Sequence, residues 1–300
     1  MEYFSSLAFV LKKEPSGEQD RVYTFYTKNY GKLNLLAVGS QKLTARLSGH
    51  LERPALVWIK FILGHRPKLV SALEENNFLP IKKNQSALLS SLKILSFLDE
   101  LTLEYQVDEK IWNLLFESFS FLEKNISHGK TIADFVYFYF QSQLIKISGW
   151  EPYLKDCLIC HQKANYFNFG QKGLLCQKHR KKDDLFLTES GLKSLQLLFN
   201  SSLKNFQSFN SLKEILKNKE VLEKFLSDFS FFLKRLKDNA LKKYNAYYGL
   251  RYDFDGNLFD SFQFDREVAV RVKKTNKMFL VIGSLWKNLE KFKHFQKKYN

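Results

Sequence analysis

Cysteine is scarce in this chain of 300 residues: three are present. Three thiols cannot build a disulfide framework, which fits a reducing, cytoplasmic setting. The amino-terminal residues Met1-Glu2-Tyr3 offer no basic lead-in, and the apolar run from Leu7 to Leu11 stops at Lys12-Lys13, so no secretory signal is expected. The longest aromatic-rich stretch, Thr131 to Trp150, carries Asp134, Gln141, Gln143 and Lys146, which makes it a buried helix rather than a membrane span. Glycine-rich phosphate loops are missing. Gly170-Gln171-Lys172-Gly173 has no Ser or Thr after it. No segment repeats at a fixed period. Neither a Ser-His-Asp nor a Cys-His nucleophile arrangement can be argued, and no positive sign of an enzyme emerges.

What is present begins with the placement of those three cysteines. All fall between Cys157 and His179, as Cys157-Leu158-Ile159-Cys160, fifteen residues, then Cys176-Gln177-Lys178-His179. The spacing C-x2-C-x15-C-x2-H is that of two knuckles bringing four soft ligands to one tetrahedral ion. Thiolate and imidazole suit zinc, and four protein ligands close the site, so one structural Zn2+ is expected on Cys157, Cys160, Cys176 and His179. His161 directly follows Cys160 and breaks the paired spacing. Between the knuckles, Phe167, Phe169 and Leu174-Leu175 flank Gly170 and Gly173, which reads as a short hairpin returning the chain to the ion.

Hydrophobic residues make up 45% of the chain and aromatics 16%, ample for packed cores. The net charge is +16. It is unevenly spread: residues 81–154 are slightly acidic (7 basic, 9 acidic), whereas residues 1–80 (11 and 7) and 155–187 (7 and 3) are basic. A basic excess broken by an acidic block favours a polyanion partner.

Residues 1–80 read as strands. Tyr3 to Lys12, Arg21 to Tyr30, Lys32 to Val38, Ala55 to Leu63 and Lys68 to Glu74 are rich in β-branched and aromatic residues. Turns are marked by Glu14-Pro15-Ser16-Gly17-Glu18 and by Asn29-Tyr30-Gly31-Lys32. Five strands with one longer connection suit a small Greek-key barrel of the OB type, with an SH3-like barrel as the alternative. From Asn84 the period becomes helical. Leu88, Leu89, Leu92, Leu95, Phe97, Leu98 and Leu101 form one apolar stripe and Ile111, Leu114, Leu115, Phe119 and Leu122 another. Thr188 is placed to cap a later helix. The expected fold is α+β and multidomain: an OB barrel over 1–80, then a mainly helical domain over 81–248 carrying a zinc-knuckle insertion at 155–182. A basic extension over 249–300 completes it.

On the barrel, Arg21, Lys28, Lys32, Lys42, Arg46 and Arg53 interleave with Tyr23, Phe25, Tyr26, Tyr30 and Trp58. Cations along a groove neutralise phosphates, and exposed rings stack unpaired bases. Alternation along Arg21 to Thr27 puts Tyr23 and Phe25 on one face and Tyr26 on the other, so the basic residues carry the nucleic-acid-binding expectation. Asp253, Asp255 and Asp260 around Gly256-Asn257 could hold a divalent ion, but without the terminal Glu of a calcium loop they read as a polar turn.

Barrel, helices and knuckles in this order resemble the RecO family. The resemblance runs through Ala8-Phe9-Val10-Leu11-Lys12, Gly17-Glu18-Gln19-Asp20-Arg21, Tyr23-Thr24-Phe25-Tyr26-Thr27, Tyr30-Gly31-Lys32-Leu33 and Ala37-Val38-Gly39-Ser40. It resumes at Ser148-Gly149-Trp150-Glu151-Pro152, just before the first knuckle. It departs at His179, where cysteine is more usual, and over 249–300, which have no counterpart. The resemblance implies a non-enzymatic bacterial protein of DNA repair and recombination that binds single- and double-stranded DNA and anneals complementary strands. It also implies action with RecR at DNA coated by single-strand-binding protein, helping RecA to load, in the cytoplasm at the nucleoid. An RNA-binding, translation-associated OB protein and a metal-dependent nucleic-acid enzyme built on the Asp253 cluster are the alternatives.

Overall fold

The computed structural model describes residues 3–40, 49, 51–64, 66–206 and 209–248. Lys42, Arg46, the Asp253, Asp255 and Asp260 cluster and the 249–300 extension lie outside the described residues. Two compact units are formed. One comprises residues up to Asn77 with Leu101–Asp108 and residues 235–248; the other comprises Phe78–Glu100 with Glu109–Lys234.

The first unit is built on five strands: β1 (Phe4–Ser16), β2 (Asp20–Thr27), β3 (Gly31–Ala37), β4 (Leu56–Ile62) and β5 (Lys68–Asn76). They close into a barrel in the order β1-β2-β3-β5-β4. Every pairing is antiparallel except β3 with β5, which meet in parallel at Leu36 and Lys68. This is the OB arrangement. Period-two alternation fills the interior. Tyr23 and Phe25 of β2 point inward opposite Leu35 and Leu33 of β3, and Val57, Ile59 and Phe61 of β4 join them, all essentially inaccessible. Ala72 of β5 packs against the same core between exposed Ser71 and Leu73.

A segment far along the sequence finishes this barrel. Leu101–Asp108 runs beside the start of β3, bridging Lys32 in parallel through Glu104. The Tyr105 N–H donates to the Lys32 carbonyl at 2.9 Å, and Asn34 Nδ2 donates to Glu104 Oε1 at 2.6 Å. The Tyr105 ring packs on the barrel core. Gly31 makes this approach possible. Its φ is +68°, and a Cβ there would collide with the backbone of Gln106. Tyr26, on the outer side of β2 as its alternation predicts, is nevertheless buried, with its hydroxyl 3.5 Å from the Asp108 carbonyl. Burial pushes its phenol well above the ordinary value.

The second unit is mainly helical: α1 (Leu79–Lys83), α2 (Gln85–Leu101), α3 (Glu109–Lys124), α4 (Gly129–Ile147), α5 (Glu189–Asn200), α6 (Phe209–Leu216) and, as far as Lys234, α7 (Lys219–Tyr248). At its centre, α4 buries Phe135, Val136, Phe138, Phe140, Leu144 and Ile145 and packs against α3, α5 and α6. The Ser90 hydroxyl of α2 donates to the Ala133 carbonyl of α4, relieving a buried polar group. Thr188 caps α5, its side chain accepting from the Gly191 N–H at 3.1 Å. The α2 stripe is buried at Leu95, Phe97 and Leu98, joined by Ile94, whereas Leu89 is exposed. Among the described residues no helix is long and apolar enough to cross a membrane.

Replacing Gly31 with Ala forces a Cβ against a backbone carbonyl at positive φ. Urea unfolding of Gly31→Ala is expected to show a loss of about 2 kcal/mol or more, from the left-handed penalty plus overpacking; a loss within 0.5 kcal/mol, the scale of a neutral surface change, would show that the 101–108 segment yields at no cost.

Candidate metal centre and nucleic-acid interface

Three short strands frame the cysteine region: β6 (Tyr166–Asn168), β7 (Gly173–Leu175) and β8 (Leu185–Phe186), in the order β7-β6-β8. β6 and β7 are the hairpin expected from the sequence. The β8 strand is too short to be seen in a pattern. Each knuckle is a tight turn fixed by the backbone. In the first, His161 N–H donates to the Cys157 carbonyl and Cys157 N–H to the Gln162 carbonyl, both at 2.9 Å. In the second, His179 and Arg180 N–H groups donate to the Cys176 carbonyl at 3.0 and 2.9 Å. Leu158 N–H donates to the Leu174 carbonyl at 2.9 Å and docks the first knuckle on β7. A Cβ at Gly173 would lie 2.5 Å from Leu158 Cδ1, so a side chain there would displace the leucine.

These turns bring Cys157, Cys160, Cys176 and His179 together, with all four ligand atoms within 4.8 Å of one another. Cys160 Sγ lies 3.7 Å from Cys176 Sγ. His179 Nδ1 lies 3.4 Å from Cys176 Sγ and 3.5 Å from Cys157 Sγ. A tetrahedron with metal–sulfur arms of about 2.3 Å has edges of about 3.8 Å, slightly less where nitrogen replaces sulfur. The observed separations match such a polyhedron, so the four residues could hold one metal ion. His161 is turned elsewhere. Its Nδ1 sits 3.2 Å from Asp156 Oδ1, which also accepts from the Tyr153 hydroxyl at 2.9 Å.

Burial pushes the Cys157 thiol up, but N–H groups of Cys160, Ile159 and Cys176 and the His179 ring outweigh it, leaving it lowered to about 5. At Cys160 the Gln162 N–H works downward, while burial and the Cys157 and Cys176 sulfurs work upward and win, raising it above the ordinary thiol. One thiolate is thus easily formed and the next is resisted by its neighbours. A cation among them removes that resistance.

The hairpin is anchored from its other side by aromatic rings. Phe167 meets Phe225 of α7 at 4.8 Å between centroids and Phe169 at 5.1 Å, with Phe229 at 6.0 Å. Burying one such side chain contributes roughly 1.5–3 kcal/mol.

On the barrel, the structure separates the basic residues expected to meet DNA. Arg21 is half-buried at the start of β2, and Lys28 is exposed in the β2–β3 turn. Lys32 is buried at 9% exposure on β3 beside Glu104. Arg53 is half-buried and its Nη1 donates to the Leu11 carbonyl at 2.7 Å. Tyr23, Phe25 and Tyr26 are core, and Tyr30 packs edge-on to Phe61 at 5.3 Å. Trp58 is the exposed ring of the set, at 47%. Lys60, outside the sequence-derived set, stands two residues along β4 on the same exposed side. The alternation of β4, with Val57, Ile59 and Phe61 inward, was the signal that would have found it.

The family model described as "Recombination protein O C terminal" matches residues 85–229, which span α2 to the first third of α7 and include the cysteine hairpin. The chain belongs to the RecO family. The "DNA repair protein RecO" of Thermodesulfovibrio yellowstonii is 29% identical over 180 residues, 59% of this chain and 70% of that protein. The protein of the same name from Acetivibrio thermocellus is 25% identical over 224 residues, covering 72% of this chain and 87% of its own length. That of Syntrophus aciditrophicus is 30% identical over 177 residues, 56% and 66% of the two chains. In this chain the fourth member of the cluster is His179.

A metal at this centre competes with protons for sulfur and imidazole nitrogen. Because Cys160 is raised and must lose its proton, affinity should rise with pH through neutrality and fall as pH drops from 7.5 toward 5. Competition with a chromophoric chelator across that range measures it; a pH-independent affinity would place the ion on other ligands.

Proposed function

We propose that this chain is a DNA-binding protein of DNA repair and recombination that acts by holding and annealing strands rather than by catalysis. The observation that carries this reading is a closed barrel in OB strand order at the head of a RecO-family helical region, on a chain of net charge +16. OB barrels bind single strands through a cationic surface with stacking rings. Annealing requires two polyanions to approach, and a basic protein lowers that repulsion by replacing their condensed counterions. Single- and double-stranded DNA are the proposed ligands. RecR and single-strand-binding protein are the proposed partners, and the proposed outcome is RecA loading onto coated DNA. The proposed location is the cytoplasm at the nucleoid, where thiols stay reduced.

The barrel cations proposed to contact phosphates are Arg21 and Lys28 with Lys42 and Arg46. Lys32 and Arg53 have contacts within the barrel. For the centre at Cys157, Cys160, Cys176 and His179 we propose one Zn2+. Three thiolates and an imidazole are its preferred donors, and a full set of protein ligands leaves no open position for chemistry. Its role is to lock the two knuckles and the hairpin between them.

Elemental analysis of the purified protein is expected to give one zinc per chain. Cys160→Ala should lower zinc content and melting temperature together, since structural zinc contributes on the order of 10 kcal/mol of apparent binding free energy. Metal-free protein that melts normally contradicts a structural role. DNA affinity is expected to be blind to sequence and steeply salt-dependent. About six phosphate contacts give a slope of log K on log[salt] near −4 to −5. Substituting Arg21, Lys42 and Arg46 together with Ala should flatten that slope by about 2–3 and slow annealing. An unchanged slope moves the phosphate contacts off these residues.

A further inference from the structure

The side chains on the outside of the barrel differ sharply from one face to another. On the β2–β3 side, the strands that usually present an OB ligand face, the outward residues are taken up by the chain itself. Lys32 is buried beside Glu104, Asn34 donates to Glu104, and Tyr26 lies under Asp108. On the β1–β4–β5 side the sheet is open. Leu7, Trp58 and Leu73 stand in one row across the three strands, because Leu7 pairs with Trp58 and Trp58 with Leu73. Trp58 is 47% exposed and Leu73 65%. The Lys28 N–H donates to the Leu7 carbonyl at 2.9 Å, which places Lys28 at the β1 end of the same row. Two residues along β4, Lys60 holds its ammonium 4.4 Å over the ring of exposed Tyr3.

We propose that this face, and not the β2–β3 face, is where single-stranded DNA stacks, with a base on the Trp58 indole and the flanking phosphates on Lys28 and Lys60. The inference rests on the reading of this chain as a DNA-binding protein. Spacing supports it. Lys60 is about 7 Å from Trp58 along the strand, and Lys28 lies two strands, about 10 Å, across from it. An exposed indole with a lysine on each of two sides complements what a nucleotide presents, a π-face with phosphate at either end. A protein partner would be met by the same apolar row, but two lysines beside it carry a desolvation cost that a phosphate repays and an apolar surface does not. Exposed Glu75 of β5 lies two residues beyond Leu73 and bounds the face at that end. The strand is thereby held to the side of Trp58 on which Lys60 stands, and its path leads toward Lys28.

The test uses the full chain and fluorescein-labelled oligothymidylate at several salt concentrations, with Trp58→Ala, Trp58→Phe and Lys60→Ala beside the parent. Trp58→Ala is expected to weaken binding about tenfold, the loss of one base–aromatic stack. Lys60→Ala should reduce the salt slope by about 0.7. Oligothymidylate should quench the tryptophan emission of the parent, and Trp58→Phe should remove most of that quenching while melting as the parent does. This last readout decides the matter if Trp58→Ala folds poorly. Parent-like affinity in Trp58→Ala together with undiminished quenching in Trp58→Phe overturns the assignment. It leaves the row to a protein partner, while the DNA-binding reading survives because the parent still binds. A parent that binds no oligothymidylate overturns both.

Discussion

Backbone pairing between β3 and the distant segment Leu101–Asp108 is the contact on which the barrel unit depends. A five-stranded barrel with one parallel closure leaves part of β3 without a neighbour, since β3 and β5 meet at Leu36 and Lys68 alone. Unpaired strand edges cost hydrogen bonds and invite foreign strands. Glu104 and Tyr105 fill that position, and Tyr105 adds a ring to the core in the same step. The approach is so close that residue 31 must lack a side chain. From this one contact follow the burial of Tyr26 and Lys32 and the covering of β2–β3.

The metal hairpin shows a different economy. Its strands are three, three and two residues long, too short to be stable alone. It is held at one end by four convergent ligands and at the other by Phe167 against Phe225 and Phe229. A ring cluster and a Cys3His cluster able to hold a metal ion thus lie at opposite ends of one small sheet. Cation–π contacts at its margins, Lys172 over Trp150 at 4.3 Å and Arg180 over Tyr166 at 4.6 Å, keep long basic side chains extended over apolar rings.

Much of this was legible in the sequence. Period-two runs located the five strands, because each inward residue of a barrel is apolar and each outward one is free to vary. The knuckles were legible because two short turns can converge on one ion only at particular spacings, and C-x2-C and C-x2-H have them. The role of Leu101–Asp108 was not legible: Leu-Thr-Leu-Glu-Tyr-Gln-Val-Asp looks like the end of a helical stripe, and nothing local says that it pairs with residue 32. The same gap explains Tyr26, whose outward placement followed from alternation but whose burial depends on residues 80 positions away. Leu89 was expected inside by its place in a heptad-like stripe, yet α2 turns it to solvent while burying Ile94 and Leu98.

The barrel unit is discontinuous in sequence, and this has a consequence for the order of events at the ribosome. Strands β1 to β5 are complete by Asn76, but the edge of β3 stays open until Asp108 has been synthesised. Through that interval the nascent barrel presents an unpaired strand edge. A chain emerging in this order therefore exposes an aggregation-prone surface for the time it takes to make α2, and the charged Lys32 beside that edge acts as a guard against pairing with a neighbouring chain.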